Sequence, residues 1–359
     1  MSLLKTSLHQ QHIDLGAKMA GFAGFDMPLQ YSSVKEESMA VRSSLGVFDV
    51  SHMGEFFVTG TDAINFVDYI ITNDFAAAEM EKAVYSPLCR EDGTVIDDLI
   101  AYKLADERVL ICVNASNIEK DWQWISSKTE GFNVQLEDKS ADYSLLAVQG
   151  PKAEEILKSI EIINDSDNLA YYSAKELNRM NEKIIVARTG YTGEDGFEVF
   201  TSHKMAATLW SKLLENGATP CGLASRDVLR LEVCYPLYGH ELNDQLTPLD
   251  AALKWTVKFS KDKFIGKEKL EATTPSKRLV KLSLDKGIPR EGYNILNMED
   301  EIIGVITSGT MSVELSKGIA LGLVDRDKFP KDKKFKINIR KNNIEANYHT
   351  KAFVTGGHK

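Results

Sequence analysis

Two patterns of hydrophobic residues follow one another along the chain. Up to about residue 275, apolar residues recur at the three-to-four-residue spacing of amphipathic helices, as with Ile64, Val67 and Ile71. This spacing predicts helices over 35–45, 61–71, 117–128, 152–160, 203–215 and 224–234. Asn114 or Ser116 is expected to cap the third of them. Continuous apolar runs between the helices predict strands over 46–50, 108–113, 143–148, 184–188 and 197–200.

After residue 275, the helical spacing gives way to short alternating runs that are separated by turn residues. These runs predict strands over 279–284, 302–308, 319–324, 335–339 and 344–348. Short alternating strands with turns between them are typical of a small barrel or sandwich. We therefore predict an α+β fold, in which a large mixed region is followed by a C-terminal β-barrel or sandwich domain.

The run from Gly93 to Ile100 carries two adjacent carboxylates, Asp97 and Asp98, in an otherwise strand-like sequence. The residues before it, 91–93, are a turn signal, so the run is expected to be the return arm of a hairpin. Successive strand side chains point to opposite faces, so at least one carboxylate faces the interior or a pocket. Burial of an unpaired carboxylate is costly, which indicates a functional site. The alternative is that Asp97 or Asp98 has only a structural role, in which its carboxylate stabilises a turn or caps a neighbouring element.

Composition excludes several classes of function. The 359 residues carry a formal net charge of -9, which disfavours nonspecific nucleic acid binding because phosphate contacts need a basic surface. The four cysteines form no Cys-x-x-Cys pair and no zinc-site spacing with histidine, so we expect a reducing compartment and no metal. The N-terminus has no signal-peptide segment and no run is long enough to span a membrane. A cytoplasmic protein without membrane partners is expected.

A glycine-rich segment, Gly190–Gly196, precedes the strand that carries Glu198. Its acidic residues would repel phosphate, and it lacks the Lys-Ser/Thr of a phosphate-binding loop, so nucleoside triphosphate and dinucleotide binding are disfavoured. A strand carboxylate that faces a pocket can accept two adjacent N–H donors. Glu198 therefore suits a planar heterocycle with a guanidine-like edge, as in pterins. For Glu194 and Asp195 we favour the alternative of a hairpin with solvated acids.

Arg226 and Arg230 lie four residues apart and therefore share one face of a predicted helix. Arg226 occupies the first turn, where the helix dipole disfavours a cation, so its presence there indicates a carboxylate partner or a ligand. An ion pair with Asp227 or Glu232 is an equal alternative. His52 is expected to be either structural or pocket-lining, because no nucleophile motif accompanies it.

Nine short motifs run in order along nearly the whole chain. They are Gly21–Pro28, Phe48–Met53, Gly93–Leu99, Val113–Ala115, Ala147–Pro151, Gly190–Glu194, Cys221–Asp227, Phe264–Gly266 and Ile306–Gly309. Each motif alone identifies a protein family only weakly, but nine motifs in the same order identify it strongly. Together they resemble the aminomethyltransferase family, the T proteins of the glycine cleavage system.

The resemblance implies a three-domain cloverleaf, with mixed α/β N-terminal and middle domains and a C-terminal β domain around a central folate site. We accordingly expect two interleaved α+β domains within residues 1–275 and the β domain over 276–359. In the implied reaction, the aminomethyl group comes from the lipoylated H protein, a transient partner. Tetrahydrofolate accepts the carbon as a substrate, giving 5,10-methylenetetrahydrofolate and ammonia. No metal, flavin or nicotinamide cofactor is implied.

The resemblance also implies roles for individual residues. Asp97, the first of the acidic pair, is implied to be the catalytic carboxylate, which stabilises a cationic intermediate and orients folate instead of attacking as a nucleophile. The implied folate-binding residues are Glu198, Arg226, Tyr191, Met53, Tyr85, Tyr102 and Asn114.

Two alternative classes stay open. The folate module of a dimethylglycine- or sarcosine-type demethylating oxidase would need a separate flavin-binding partner, since this chain has no dinucleotide fingerprint. A non-catalytic folate-binding protein of the iron–sulfur assembly type carries a Lys-Gly-Cys-Tyr-x-Gly-Gln signature. Here the corresponding segment, Leu231–His240, reads Leu-Glu-Val-Cys-Tyr-Pro-Leu-Tyr-Gly-His, without the Lys-Gly lead.

Overall fold

The computed structural model describes residues 2–357, and the chain forms two compact units. Unit 1 contains the residues up to Ser86, the segment Leu99–Arg226 and the C-terminal residues from Gly356. Unit 2 contains Pro87–Asp98 and Asp227–Thr355. The chain therefore passes from one unit to the other four times. Positions 1, 358 and 359 of the predicted domains lie outside the described residues.

Helices and strands alternate through the first 275 residues, and strands dominate afterwards. The α-helices of the described chain are α1 (His9–Asp14), α2 (Val34–Ser43), α3 (Ala63–Ile70), α4 (Ile118–Ser126), α5 (Ala153–Ser159), α6 (His203–Glu215), α7 (Leu223–Glu232) and α8 (Lys267–Ala272). The strands are β1 (Lys18–Phe22), β2 (Phe25–Gln30), β3 (Gly46–Asp49), β4 (Gly54–Thr59), β5 (Ala83–Cys89), β6 (Val95–Ala105), β7 (Arg108–Val113), β8 (Gln135–Asp138), β9 (Ser144–Gln149), β10 (Ala174–Arg179), β11 (Glu182–Ala187), β12 (Gly196–Thr201), β13 (Thr219–Pro220), β14 (Lys277–Leu284), β15 (Asn294–Leu296), β16 (Ile302–Met311), β17 (Gly318–Asp325), β18 (Phe335–Ile339) and β19 (Asn342–His349).

A six-stranded sheet with the order β10-β11-β12-β9-β3-β13 forms the centre of unit 1. Every residue of β9 and β12 is buried, because apolar side chains such as Leu146 and Val199 pack in one cluster with Trp210 of α6. Strand β12 pairs antiparallel with β9, which sets Glu198 opposite Ala147. The sheet thus holds Glu198 on a central strand with neighbours on both sides.

A second sheet has the order β5-β6-β7-β4-β8, and its strands β5 and β6 each continue from one unit into the other. The turn between them is closed by a hydrogen bond from Arg90 N to Thr94 O of 2.9 Å. Gly93 has a φ of +85°, a left-handed conformation that favours glycine. The hairpin predicted from the turn residues 91–93 is therefore confirmed.

Strands β14-β17-β16-β15-β18-β19 form a closed barrel in unit 2. Alternation in β18 places Phe335 and Ile337 in the barrel core, with Val280 and Val324, while Lys336 lies outside it. Closure leaves no sheet edge unpaired within the barrel. The predicted class, mixed helices and strands followed by a C-terminal barrel, is confirmed.

Each predicted helix and strand is present, with ends shifted by at most three residues. The predicted cap of α4 is wrong. Neither Asn114, which precedes a short 3-10 turn, nor Asn117, which precedes α4, makes a side-chain cap hydrogen bond. The extra turn replaces the cap, because it moves the start of the helix past Ser116. No helix within residues 2–357 is long and apolar enough to cross a membrane.

Candidate functional site

Glu198 on β12 has one carboxylate oxygen fixed by the protein and one that is not. Oε2 accepts a hydrogen bond from Thr189 Oγ1 at 2.5 Å and a longer one from the Tyr102 hydroxyl at 3.5 Å. Within residues 2–357, Oε1 has no hydrogen-bond partner, although only 7% of the residue is exposed. Because the fixed oxygen sets the plane of the carboxylate, Oε1 is held ready to accept a ligand N–H.

Arg226 on α7 lies beside this carboxylate. Its guanidinium carbon is 4.8 Å from the centroid of the Tyr191 ring, and its buried Nη1 has no hydrogen-bond partner among the described residues. Burial lowers the pKa of Arg226, and the negative charge of Glu198 opposes this effect. The arginine is thus a desolvated cation with an unused donor, which is typical of a group that receives a ligand.

The alternative that Arg226 forms an ion pair with Asp227 or Glu232 stays a prediction. Asp227 accepts a hydrogen bond from Arg230 Nε at 2.8 Å, and Glu232 accepts one from Ser312 Oγ at 2.7 Å. These acids are therefore used by other partners in unit 2.

Tyr102 on β6 is completely buried, with its hydroxyl directed at Glu198. Burial raises the pKa of Tyr102 well above its ordinary value, and the charge of Glu198 raises it further. Tyr102 is therefore a neutral hydrogen-bond donor at physiological pH. Tyr102, Glu198, Arg226 and Tyr191 are the predicted site residues that the structure brings together.

Three other predicted residues are partly buried and lie in separate parts of the chain. Met53 ends the turn after β3, Asn114 follows β7, and Tyr85 lies in β5. Their role in folate binding stays a prediction.

The two carboxylates of the acidic pair differ in orientation, as alternation along β6 predicts. Asp97 is completely buried, whereas Asp98 is partly exposed. Successive strand side chains point to opposite faces, so Asp97 and Asp98 lie on opposite faces of β6. In unit 2, burial and the charges of Asp244 and Asp97 raise the pKa of Tyr238.

The acidic residues of the glycine-rich segment are not solvated, so that expectation is wrong. Asp195 is 2% exposed and accepts two hydrogen bonds from Arg188, of 2.9 and 2.7 Å. Glu194 accepts one of 2.9 Å from Arg42. Both acids are therefore neutralised by arginines within unit 1, and Arg42 is too distant in sequence for this to be foreseen.

The glycines of the same segment surround the buried side chain of Gln149. Its Oε1 accepts a hydrogen bond from Thr192 Oγ1 at 2.8 Å, and its Nε2 donates one to Thr189 O at 3.1 Å. A Cβ atom at Gly190 or Gly196 would lie 2.0 or 2.6 Å from this amide. The glycines thus allow close packing that fixes Thr189, the hydrogen-bond donor to Glu198.

Sequence reasoning missed Thr189 and left His52 open between two roles. The feature of the sequence that could have indicated Thr189 as a site residue is its position directly before the glycine-rich segment. His52 is 3% exposed, and its Nδ1 has no hydrogen-bond partner among the described residues. Burial lowers the pKa of His52 to about 4; the charge of Asp49 opposes this shift and that of Arg226 adds to it. His52 is therefore a neutral ring near Arg226.

Other reactive groups in the described chain are not clustered. All four cysteines are free thiols, and three of them are buried. No set of three or more His, Cys, Asp or Glu side chains in the described residues is arranged to hold a metal ion.

The fold and the site define a class: an α+β protein with a C-terminal barrel, in which Glu198 and Arg226 lie together in unit 1. The GCVT N-terminal domain family matches residues 8–261, and the glycine cleavage T-protein C-terminal barrel domain family matches residues 277–354. The chain therefore belongs to the glycine cleavage T-protein family. The predicted domain boundary after residue 275 stays a prediction.

Relatives and a solved structure agree with this family over nearly the whole chain. The chain is 44% identical to the aminomethyltransferase of Thermosipho melanesiensis, covering 99% of this chain and 98% of that protein. It is 46% identical to the aminomethyltransferase of Thermotoga maritima over 90% of each. A crystal structure of glycine cleavage system aminomethyltransferase T from Bartonella henselae matches with a TM-score of 0.93, 32% identity and 99% coverage of each chain. The predicted class, an aminomethyltransferase of glycine cleavage, is confirmed, and the two alternative classes are not favoured.

Proposed function

We propose that this protein transfers the one-carbon unit of aminomethyl-dihydrolipoyl H protein to tetrahydrofolate. The products are 5,10-methylenetetrahydrofolate and ammonia. The observation that supports tetrahydrofolate is the carboxylate of Glu198, whose Oε2 is fixed by Thr189 and whose Oε1 has no partner in the described chain. Such a group suits the adjacent N–H donors of a pterin edge.

The remaining site residues have complementary roles in this proposal. The face of the Arg226 guanidinium over Tyr191 and its unused Nη1 provide a second polar contact for the folate. Tyr102 keeps its proton, and its hydroxyl donates a hydrogen bond to Glu198 Oε2. Met53, Tyr85 and Asn114 are proposed as further pocket residues on the resemblance alone.

The catalytic carboxylate is proposed to be Asp97, the first of the acidic pair. The resemblance implies this role, and Asp97 is completely buried on β6. Breakdown of an aminomethyl thioether passes through a cationic species. A fixed carboxylate in a low-dielectric site stabilises such a cation and assists proton transfer.

The donor is proposed to be the lipoylated H protein, which docks transiently. The sequence has no flavin, nicotinamide or phosphate motif, so the one-carbon unit is expected to arrive on a separate carrier. A carrier that also serves other enzymes favours a modest, salt-sensitive interface. We propose a cytoplasmic location, because the four cysteines are free thiols, as in a reducing compartment.

The proposal is tested by ammonia release from aminomethylated H protein with and without tetrahydrofolate. The expected result is rapid release only when folate is present, together with formation of 5,10-methylenetetrahydrofolate. Release at the same rate without folate, or no release with it, would refute the assignment. A control without H protein excludes ammonia from other sources.

A further inference from the structure

The carboxylate of Asp49, at the end of β3, joins several hydrogen bonds in unit 1. Its Oδ2 accepts from His12 Nε2 at 2.9 Å and from Thr6 Oγ1 at 2.7 Å. Its Oδ1 accepts from Ser51 N at 3.0 Å and from Ser51 Oγ at 2.6 Å. Ser51 lies in the turn 50–53, so Asp49 fixes the turn that carries His52 and Met53.

Asp49 is ionised in this setting. Burial by itself would raise the pKa of Asp49, but the hydrogen bonds from His12, Ser51 and Thr6 and the charge of His12 bring it below its ordinary value. A buried carboxylate whose oxygens each accept two hydrogen bonds is a rigid anchor, because loss of one donor leaves charge uncompensated.

His12 connects this anchor to Tyr31. Since the ionised Asp49 can only accept, His12 Nε2 donates to it, and His12 Nδ1 lies within hydrogen-bond distance of the Tyr31 hydroxyl at 2.8 Å. His12 is completely buried, and its ring packs edge-on against Trp210 at a centroid distance of 5.2 Å. The orientation of the imidazole is therefore set from three sides.

A second chain of hydrogen bonds starts at the backbone of Tyr31. Its N–H donates to Glu37 Oε1 at 2.7 Å, and Gly222 N donates to Glu37 Oε2 at 2.8 Å. Glu37 is completely buried. Gly222 directly precedes α7, the helix that carries Arg226. Glu37 thus ties the start of that helix to the same tyrosine that His12 ties to Asp49.

The two chains end at groups that interact with each other. His52, on the turn held by Asp49, is influenced by the charge of Arg226, on the helix held by Glu37. Its ring also packs edge-on against Phe22, with centroids 5.4 Å apart. The separation between the turn and the helix is therefore set by a continuous path from Asp49 through His12, Tyr31 and Glu37.

We propose that His12 and Glu37 are positioning residues, which hold the turn 50–53 and the start of α7 at the spacing that folate binding needs. This inference rests on the proposed function. Neither side chain contacts the folate in this proposal, because His12 uses both ring nitrogens and Glu37 uses both oxygens within the protein. Their effect on binding is exerted through Met53, His52 and Arg226.

The chain provides a matched control on the same short helix. His9 on α1 forms its own histidine–aspartate pair, with 2.8 Å between Nε2 and Asp26 Oδ2. This pair joins α1 to β2 but does not include Asp49. His9→Ala therefore removes an equivalent contact of the N-terminal segment without touching the proposed path.

The decisive comparison is between His12→Gln and His12→Asn, with His9→Ala as the control. In His12→Gln, the side-chain amide lies near the position of Nε2 and can donate a hydrogen bond to Asp49. In His12→Asn, the shorter side chain places the amide near Tyr31 only, so the hydrogen bond to Asp49 is lost. Circular dichroism and urea unfolding identify the folded variants. For each, kcat and the KM values for tetrahydrofolate and for H protein are measured, together with the Kd of folate by calorimetry.

For His12→Asn, the expected result is a rise of about tenfold in the folate KM and Kd, as is typical when a supporting partner of a binding residue is removed. The kcat and the KM for H protein are expected to change by less than about twofold, since only folate binding is altered. His12→Gln should restore most of the folate affinity, and His9→Ala should match the wild type.

Glu37→Gln provides an independent test, also when His12→Asn fails to fold. The amide nitrogen of Glu37→Gln cannot accept a hydrogen bond, so one of the two backbone donors loses its acceptor and a similar rise in folate Kd is expected. Equal folate affinity in Glu37→Gln and the wild type, or equal losses in His9→Ala and His12→Asn, would overturn the inference. Failure of the proposed function has a different signature, because the wild-type protein itself would then not bind tetrahydrofolate.

Discussion

Replacement of Glu198 by glutamine tests the proposed folate site most directly. The amide oxygen of Glu198→Gln can accept the hydrogen bonds from Thr189 and Tyr102, which both end on Oε2 in the wild type. The amide nitrogen then replaces Oε1. The NH2 group of the glutamine would then face the N–H groups of a pterin edge, so two donors would oppose each other. The acceptor that Oε1 provides in the wild type would be lost.

The magnitude follows from this geometry. One hydrogen bond to a charged group contributes about 1.5–3 kcal/mol. At about 1.4 kcal/mol for each factor of ten, the folate Kd should rise roughly 10- to 150-fold. Loss of the Glu198 charge near Arg226 acts on the free and the bound protein alike, so it changes stability more than affinity.

Calorimetric titration with tetrahydrofolate measures this change, and urea unfolding confirms that the variant is folded. Glu194→Gln is the matched control, because it removes an acid of the same glycine-rich segment that pairs with Arg42 at 2.9 Å outside the site. An unchanged Kd in Glu198→Gln, or an equal loss in Glu194→Gln, would refute the reasoning.

Four further outcomes are expected. Asp97→Asn should lower kcat by about 10²–10³-fold with little change in folate Kd, and Asp98→Asn should lower it less; the reverse order in folded variants would assign the catalytic role to Asp98. Arg226→Lys should weaken folate binding in calorimetry, because an ammonium cannot reproduce a planar guanidinium over Tyr191, and a wild-type Kd would contradict a ligand-facing role. Burial, together with the charge of Asp138, raises the pKa of Glu55 well above its ordinary value. As the pH rises, the unfolded chain therefore loses the Glu55 proton before the folded protein does. The free energy of unfolding falls with rising pH between the unfolded-state pKa and the folded-state pKa. In urea unfolding, the pH dependence of the free energy of unfolding should lose a slope of at most about 1.4 kcal/mol per pH unit in Glu55→Gln. Parallel pH profiles for the wild type and Glu55→Gln would contradict this expectation. Aminomethylated H protein should exceed free aminomethyl lipoamide in kcat/KM, since docking supplies orientation, whereas equal values would mean that docking is not needed.

The barrel strands could be predicted from side-chain alternation and the central strands from continuous apolar runs, because both patterns are local. Strand β18 shows this, since Phe335 and Ile337 alternate with polar residues and face the core as expected. Strand β10 was missed, because its sequence Ala-Lys-Glu-Leu-Asn-Arg lacks an apolar alternation and it lies at the edge of its sheet. Edge strands bury little, so their pairing depends on a neighbour that composition does not reveal.

The site could be predicted only as far as residue type dictates chemistry. Glu198 was recognised as a strand carboxylate, and the structure places it beside Arg226 and Tyr102. The partners of Glu194 and Asp195 could not be foreseen, because nothing in the local sequence indicates that two arginines reach them. The same holds for the path from His12 to Asp49, which joins residues 37 positions apart.

The repeated passage of the chain between its two units has a consequence for synthesis on the ribosome. The segment Pro87–Asp98 belongs to unit 2, yet the rest of that unit begins only at Asp227. At roughly 5–20 residues per second, translation supplies those partners about 6–26 seconds later. During this interval Leu88, Val95 and Ile96, which are buried in the finished protein, have no completed core to enter. Unit 2 therefore folds late in translation, and a fragment that ends before residue 227 leaves these apolar residues as an aggregation hazard.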